Sequence, residues 1–127
     1  FMSDASFRCF PDDPDRFRRA DIALIVRERM TPAEYESSGY IAICPDLVVE
    51  VVSPNDLYSD VTIKRNEWLA AGAKLVWIVD PDERSVTAYQ SGKQPTLYQN
   101  GDVLPGEPVL PGFAVAVADL FRLPTSA

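Results

Sequence analysis

Apolar positions fall into short blocks along the chain, separated by Pro, Gly and Asp/Asn breakers. Residues 22–26 are continuously apolar and predict a strand. Residues 44–54 hold a β-branched core between Pro45 and Pro54 and predict a buried strand. Alternation places Asp46, Val48, Glu50 and Val52 on one strand face, and Leu47, Val49 and Val51 on the other. Ser53-Pro54-Asn55-Asp56 breaks the chain. A helix is predicted over 59–71 with Gly72 as its stop, followed by an apolar strand over 73–80. Strand, helix and strand at this spacing make a βαβ unit with parallel strands and a right-handed crossover. Residues 85–89 alternate as the return arm of a hairpin, 96–98 read as a short edge strand, and 111–117 as a last strand. Residues 118–121 follow as a helical turn. Between the first two strands, Thr31-Pro32-Ala33-Glu34 reads as an N-cap followed by Pro, a short turn ended by Ser37-Ser38-Gly39. Residues 1–17 are read as an N-terminal loop, 18–122 as the core domain and 123–127 as a C-terminal tail.

Composition narrows the chemistry. A chain of 127 residues, 46% hydrophobic and 24% charged, is one ordinary globular domain. No apolar run approaches the ~20 residues of a membrane span, and no apolar leader is visible, so a cytoplasmic protein is expected. Two cysteines make neither a disulfide framework nor a zinc signature. The absence of histidine excludes His-dependent triads, His-ligated zinc and imidazole bases. Catalysis must then come from carboxylates, Lys, Tyr or a bound hard cation. The net charge of −7 argues against a broad nucleic-acid-coating surface and leaves room for a local groove.

Several side chains carry two readings. An ionised Glu50 among valines is costly unless a metal or a lysine pairs with it. Asp21, at the start of the 22–26 strand, follows Arg18 and Arg19 and could be a strand-edge ion pair. Asp60, Lys64 and Trp68 share one helix stripe. Asp60 and Lys64 read either as a surface pair worth ~0.3–0.5 kcal/mol or as a lysine set over the end of the preceding strand. Asp12, Asp13 and Asp15 are a solvated loop or an acidic metal run. Trp68 and Trp77 are core residues or base-stacking surfaces. Taken together, two carboxylates on neighbouring strands can hold Mg²⁺ or Mn²⁺, and a nearby lysine can act on water and phosphate.

Order and spacing then become specific. Arg19-Ala20-Asp21-Ile22, followed by Pro45-Asp46-Leu47-Val48-Val49-Glu50-Val51-Val52-Ser53-Pro54, resembles the Uma2 (DUF820) family. Asp60, Lys64, Ala71-Gly72, Val76-Trp77-Ile78-Val79-Asp80-Pro81, Leu110-Pro111-Gly112-Phe113 and Asp119-Leu120-Phe121 extend the likeness over about residues 17–121. The resemblance implies membership of the PD-(D/E)XK nuclease superfamily. The fold expected from it is α/β, a restriction-endonuclease-like mixed β-sheet with a βαβ crossover helix, lacking the family's usual N-terminal part. It implies Asp21 and Glu50 as metal-binding acids. The lysine usual two residues after the second acid is replaced by Val52, so its role passes to Lys64 on the helix. Asp46 and Asp60 become secondary candidates, for metal binding or for orienting Lys64. Ser53 is a phosphate or water contact, or a strand-end cap. Arg19 and Arg65 are candidate phosphate contacts. Ala20 stands where a Pro usually precedes the first Asp.

The reading reached is a Mg²⁺- or Mn²⁺-dependent endonuclease acting on DNA, forming a homodimer or higher homo-oligomer. The alternatives are an inactive nuclease-fold module for oligomerisation or nucleic-acid binding, and a hydrolase of a small phosphorylated substrate. A basic groove and adjacent acids favour the first, separated acids the second, and a small closed pocket the third.

Overall fold

The structure is a computed structural model that describes residues 2–3, 5–29 and 40–122. The turn expected at Thr31 to Glu34, its stop at Ser37 to Gly39 and the 123–127 tail lie outside the described residues.

Strands β1 (Met2–Ser3), β4 (Ile22–Leu24), β5 (Leu47–Val51), β6 (Leu75–Asp80), β7 (Ser85–Tyr89) and β8 (Thr96–Tyr98) form one sheet in the order β1-β4-β5-β6-β7-β8. Its centre is the expected βαβ unit. β5 and β6 are parallel, with Val48 beside Val76 and Glu50 beside Ile78, and the other pairings are antiparallel. Helix α1 (Tyr58–Ala71) connects β5 to β6. It ends as the sequence predicts. Gly72 adopts φ 115°, its N–H donates to the Leu69 carbonyl, and the Ala73 N–H reaches Trp68 O, a pairing that closes a helix end and favours glycine.

The alternation along β5 separates two cores. Val48 joins Val76, Trp68, Phe7 and Phe10 on the α1 side. Leu47 and Val49 join Leu75, Trp77, Val86 and Leu104 on the other, under the hairpin of β9 (Val103–Pro105) and β10 (Ala114–Ala116) and helix α2 (Val117–Leu120). Both faces of the central strands are covered, so β5 carries near-continuous valine.

Residues 1–17 are more than the loop expected of them. β1 pairs with β4, and β2 (Ser6–Phe7) pairs with β3 (Arg18–Arg19). Phe7 and Phe10 are buried and meet Trp68 with ring centroids 5.6 and 5.2 Å away. The local sequence concealed this because each strand is two residues long, too short to show a period, and its partners are remote. The acidic stretch is a turn as expected: Asp12 pairs with Arg16 and Asp15 with Arg8.

Candidate active site

Glu50 lies one residue before the end of β5, on the α1 side, and is only 8% exposed. Burial disfavours its charge, and its carboxyl is pushed above the ordinary glutamate value. Lys64 opposes that shift, Asp21 adds to it as a like charge, and Trp68 opposes it as a hydrogen-bond donor. Both oxygens are engaged. Lys64 Nζ donates to Oε2 at 3.1 Å, and Trp68 Nε1 donates to Oε1 at 3.3 Å. Lys64 and Trp68 are one helical turn apart, so α1 grips the carboxylate with two successive rungs of one stripe. A lysine thus reaches this carboxylate from the helix, beyond Val52 in sequence but beside Glu50 in space.

Asp21 immediately precedes β4. Because Ile22 pairs with Val49 in an antiparallel ladder, Asp21 stands across from Glu50. Its Oδ2 accepts the Val51 N–H at 2.7 Å, which fixes the carboxylate beside the end of β5. The two acids named from the sequence are thus brought together.

The other candidates separate. Asp46 is on the same strand face as Glu50 but four residues away, ~13 Å along the strand. It is fully buried, accepts from Val26 N (2.8 Å) and Arg29 Nη1 (2.7 Å), and pairs with Lys74 Nζ at 3.4 Å. These contacts anchor the opposite end of β5, and they place Asp46 apart from Asp21, Glu50 and Lys64. Asp60 lines the groove beside Lys64, but Lys64 pairs with Glu50, and the Asp60 carboxylate has no partner among the described residues. The Ser53 N–H donates to Asp56 Oδ2 at 2.8 Å, a cap on the turn after β5.

Glu50 opens onto a continuous depression. A pocket of ≈ 130 Å³ is lined by Glu50, Asp56, Asp60 and Lys64. Through Asp60 and Lys64 it adjoins a concavity containing Arg18 and Arg19. Through Val52, Asp56 and Val61 it adjoins a pocket of ≈ 370 Å³ containing Ser53 and Arg65. Arg18 is committed to Glu67 in a two-pronged pair at 2.9 and 3.1 Å, whereas Arg19 is exposed and unpaired among the described residues. The Arg65 guanidinium lies 4.3 Å from the Tyr89 ring centroid. The groove is therefore open, and besides Arg18 its cations are Arg19, Arg65 and Lys64, the last paired with Glu50.

Hard oxygen donors of this kind suit Mg²⁺ or Mn²⁺. Asp21 Oδ1 has no partner among the described residues, and each Glu50 oxygen accepts a single hydrogen bond and keeps a lone pair. Among the described residues there is no cluster of three or more metal-ligating side chains. An ion held here takes two carboxylates and completes its shell with water, as Mg²⁺ commonly does. The donor set fits.

Trp68 was missed as a site residue, since an apolar setting hid its N–H. Its place one turn after Lys64 was the available signal. Both tryptophans are core residues, and the buried Trp77 Nε1 has no hydrogen-bond partner.

Comparison with known proteins identifies the family and the fold. The model of the Uma2 family, described as "Putative restriction endonuclease", matches residues 1–118. A crystal structure of "a putative nuclease belonging to DUF820" from Anabaena variabilis superposes with a TM-score of 0.81 at 23% identity, over 94% of this chain and 66% of that one. The fold is accordingly α/β and restriction-endonuclease-like. A comparison with curated proteins gives no match.

Proposed function

The chain belongs to the Uma2 family, and from that membership we propose that it is an endonuclease that hydrolyses DNA phosphodiester bonds with a bound Mg²⁺ or Mn²⁺ ion. The observation that carries the reading is the buried Glu50, gripped by Lys64 and Trp68, faced across the ladder by Asp21, and lining an open groove. Asp21 and Glu50 are the residues that would hold the ion, which when bound polarises a phosphoryl oxygen and lowers the pKa of a water.

The chain's own residues do the rest. Trp68 fixes the Glu50 carboxylate and excludes water from behind it. Lys64 favours the charged form of Glu50 against its burial and supplies positive charge where negative charge grows on the phosphate. Asp60 borders Lys64 in the groove wall and biases its orientation. Arg19 receives a neighbouring phosphate along the groove. With a net charge of −7, binding depends on this local strip and on the ion.

The test joins calorimetric titration of Mg²⁺ and Mn²⁺ with plasmid nicking, using the intact chain and Asp21→Ala, Glu50→Ala and Lys64→Ala. The expected result is metal binding lost in the two acid variants, and nicking lost with metal binding retained in Lys64→Ala. An intact chain that neither binds metal nor nicks plasmid at millimolar metal overturns the reading in favour of an inactive nuclease-fold module.

A further inference from the structure

The pocket of ≈ 370 Å³ next to the two acids has a composition that the hydrolysis of a phosphate does not explain. Its wall holds one cation, Arg65, and three carboxylates, Asp56, Asp80 and Asp82. Asp56 is committed to the Ser53 N–H, and Asp80 Oδ1 to the N–H groups of Asp82 and Glu83. Asp80 Oδ2 and the Asp82 carboxylate have no partner among the described residues and remain as acceptors. This excess of negative charge repels a phosphate. It suits a neutral, flat group that carries N–H donors.

The same pocket also supplies a flat surface. The Arg65 guanidinium lies over the Tyr89 ring at 4.3 Å, both residues are partly exposed, and both line the pocket. A guanidinium plane and a tyrosine ring are stacking partners for nucleobases.

We propose that this pocket is a nucleobase subsite, which takes an unpaired base of the substrate strand against the Arg65–Tyr89 pair while Asp80 and Asp82 accept from its exocyclic amino group. The proposal rests on the nuclease reading for its source of bases and deepens it, because it makes the substrate a strand with a base turned out of the stack. It also assigns Arg65 to the base, leaving Arg19 for phosphate. Cytosine and adenine offer the amino donor, and thymine does not.

The experiment measures fluorescence anisotropy of labelled single-stranded dC10 and dT10 in EDTA, where no cleavage intervenes, with dCMP as competitor. Plasmid nicking in Mn²⁺ is measured on the same samples. The expected result is tighter binding of dC10 than of dT10, and a loss of about tenfold in dC10 affinity in Arg65→Met and Tyr89→Leu. Because dCMP carries the same base, it should displace dC10 only at far higher concentration. Displacement at a concentration comparable to that of dC10 would mark the pocket as a mononucleotide site and overturn the strand-bound base. Arg65→Met is at the surface and keeps the test valid if Tyr89→Leu unfolds. Equal binding of dC10 and dT10, no binding of either, or full dC10 affinity in Arg65→Met overturns the subsite. Nicking without base preference removes the subsite and leaves the nuclease, whereas base preference without nicking does the reverse.

Discussion

Replacing Asp46 by Ala separates a structural acid from a catalytic one. The carboxylate is fully buried and accepts from Val26 N, Arg29 and Lys74. Its removal strands the Val26 N–H at a cost of ~1–3 kcal/mol. The Arg29 and Lys74 side chains are 36% and 57% exposed, so they rehydrate, and each lost pair costs only ~0–1 kcal/mol. The sum is about 1–5 kcal/mol, centred near ~3 kcal/mol. Against a domain stability of ~5–15 kcal/mol that is a large fraction. In a urea titration with an m-value of ~1.5–2 kcal/mol/M, a loss of ~3 kcal/mol lowers the midpoint by about 1.5–2 M at unchanged slope. Below the transition, Mn²⁺ binding should match that of the intact chain. A midpoint that moves by less than ~0.5 M while metal binding disappears would refute the argument, and would return Asp46 to the metal site.

Further outcomes follow from other contacts. The raised pKa of Glu50 makes metal binding increase with pH through its ionisation, and Lys64→Met should move the inflection up, as read by Mn²⁺ calorimetry at stepped pH. The same shift acts on folding: the native state holds the Glu50 proton more tightly than the unfolded chain, so this group's contribution is full below the ordinary glutamate value of 4.5 and is lost as pH rises through the folded pKa. Glu50→Gln should remove that decline in urea titrations at stepped pH. Phe7 is fully buried against Trp68, and Phe7→Ala should cost ~3–5 kcal/mol in the same titration, a result that a mere N-terminal loop would not give. The Cys9 thiol is lowered by its hydrogen bond with Cys44, whose own thiol is raised by that bond and by burial. Iodoacetamide followed by mass spectrometry should therefore label Cys9 first, and Cys44 only on unfolding.

The sequence by itself determined the central unit and the acids. β-Branched residues between Pro45 and Pro54, a helix stopped by Gly72 and an apolar strand after it are local signals, and β5, α1 and β6 follow them. A glutamate among valines demands a partner, and the resemblance to the Uma2 family pointed to Lys64 on the helix that follows. Strand alternation, however, treats Asp46 and Glu50 alike, since both occupy one face of β5. Only the tertiary structure told them apart, because their surroundings come from remote segments. Val26, Arg29 and Lys74 close around Asp46, while Asp21, Lys64 and Trp68 close around Glu50. The same holds for Phe7 and Phe10. Two-residue strands carry no period of their own, and they are held by the long-range pairing and burial that the folded chain supplies.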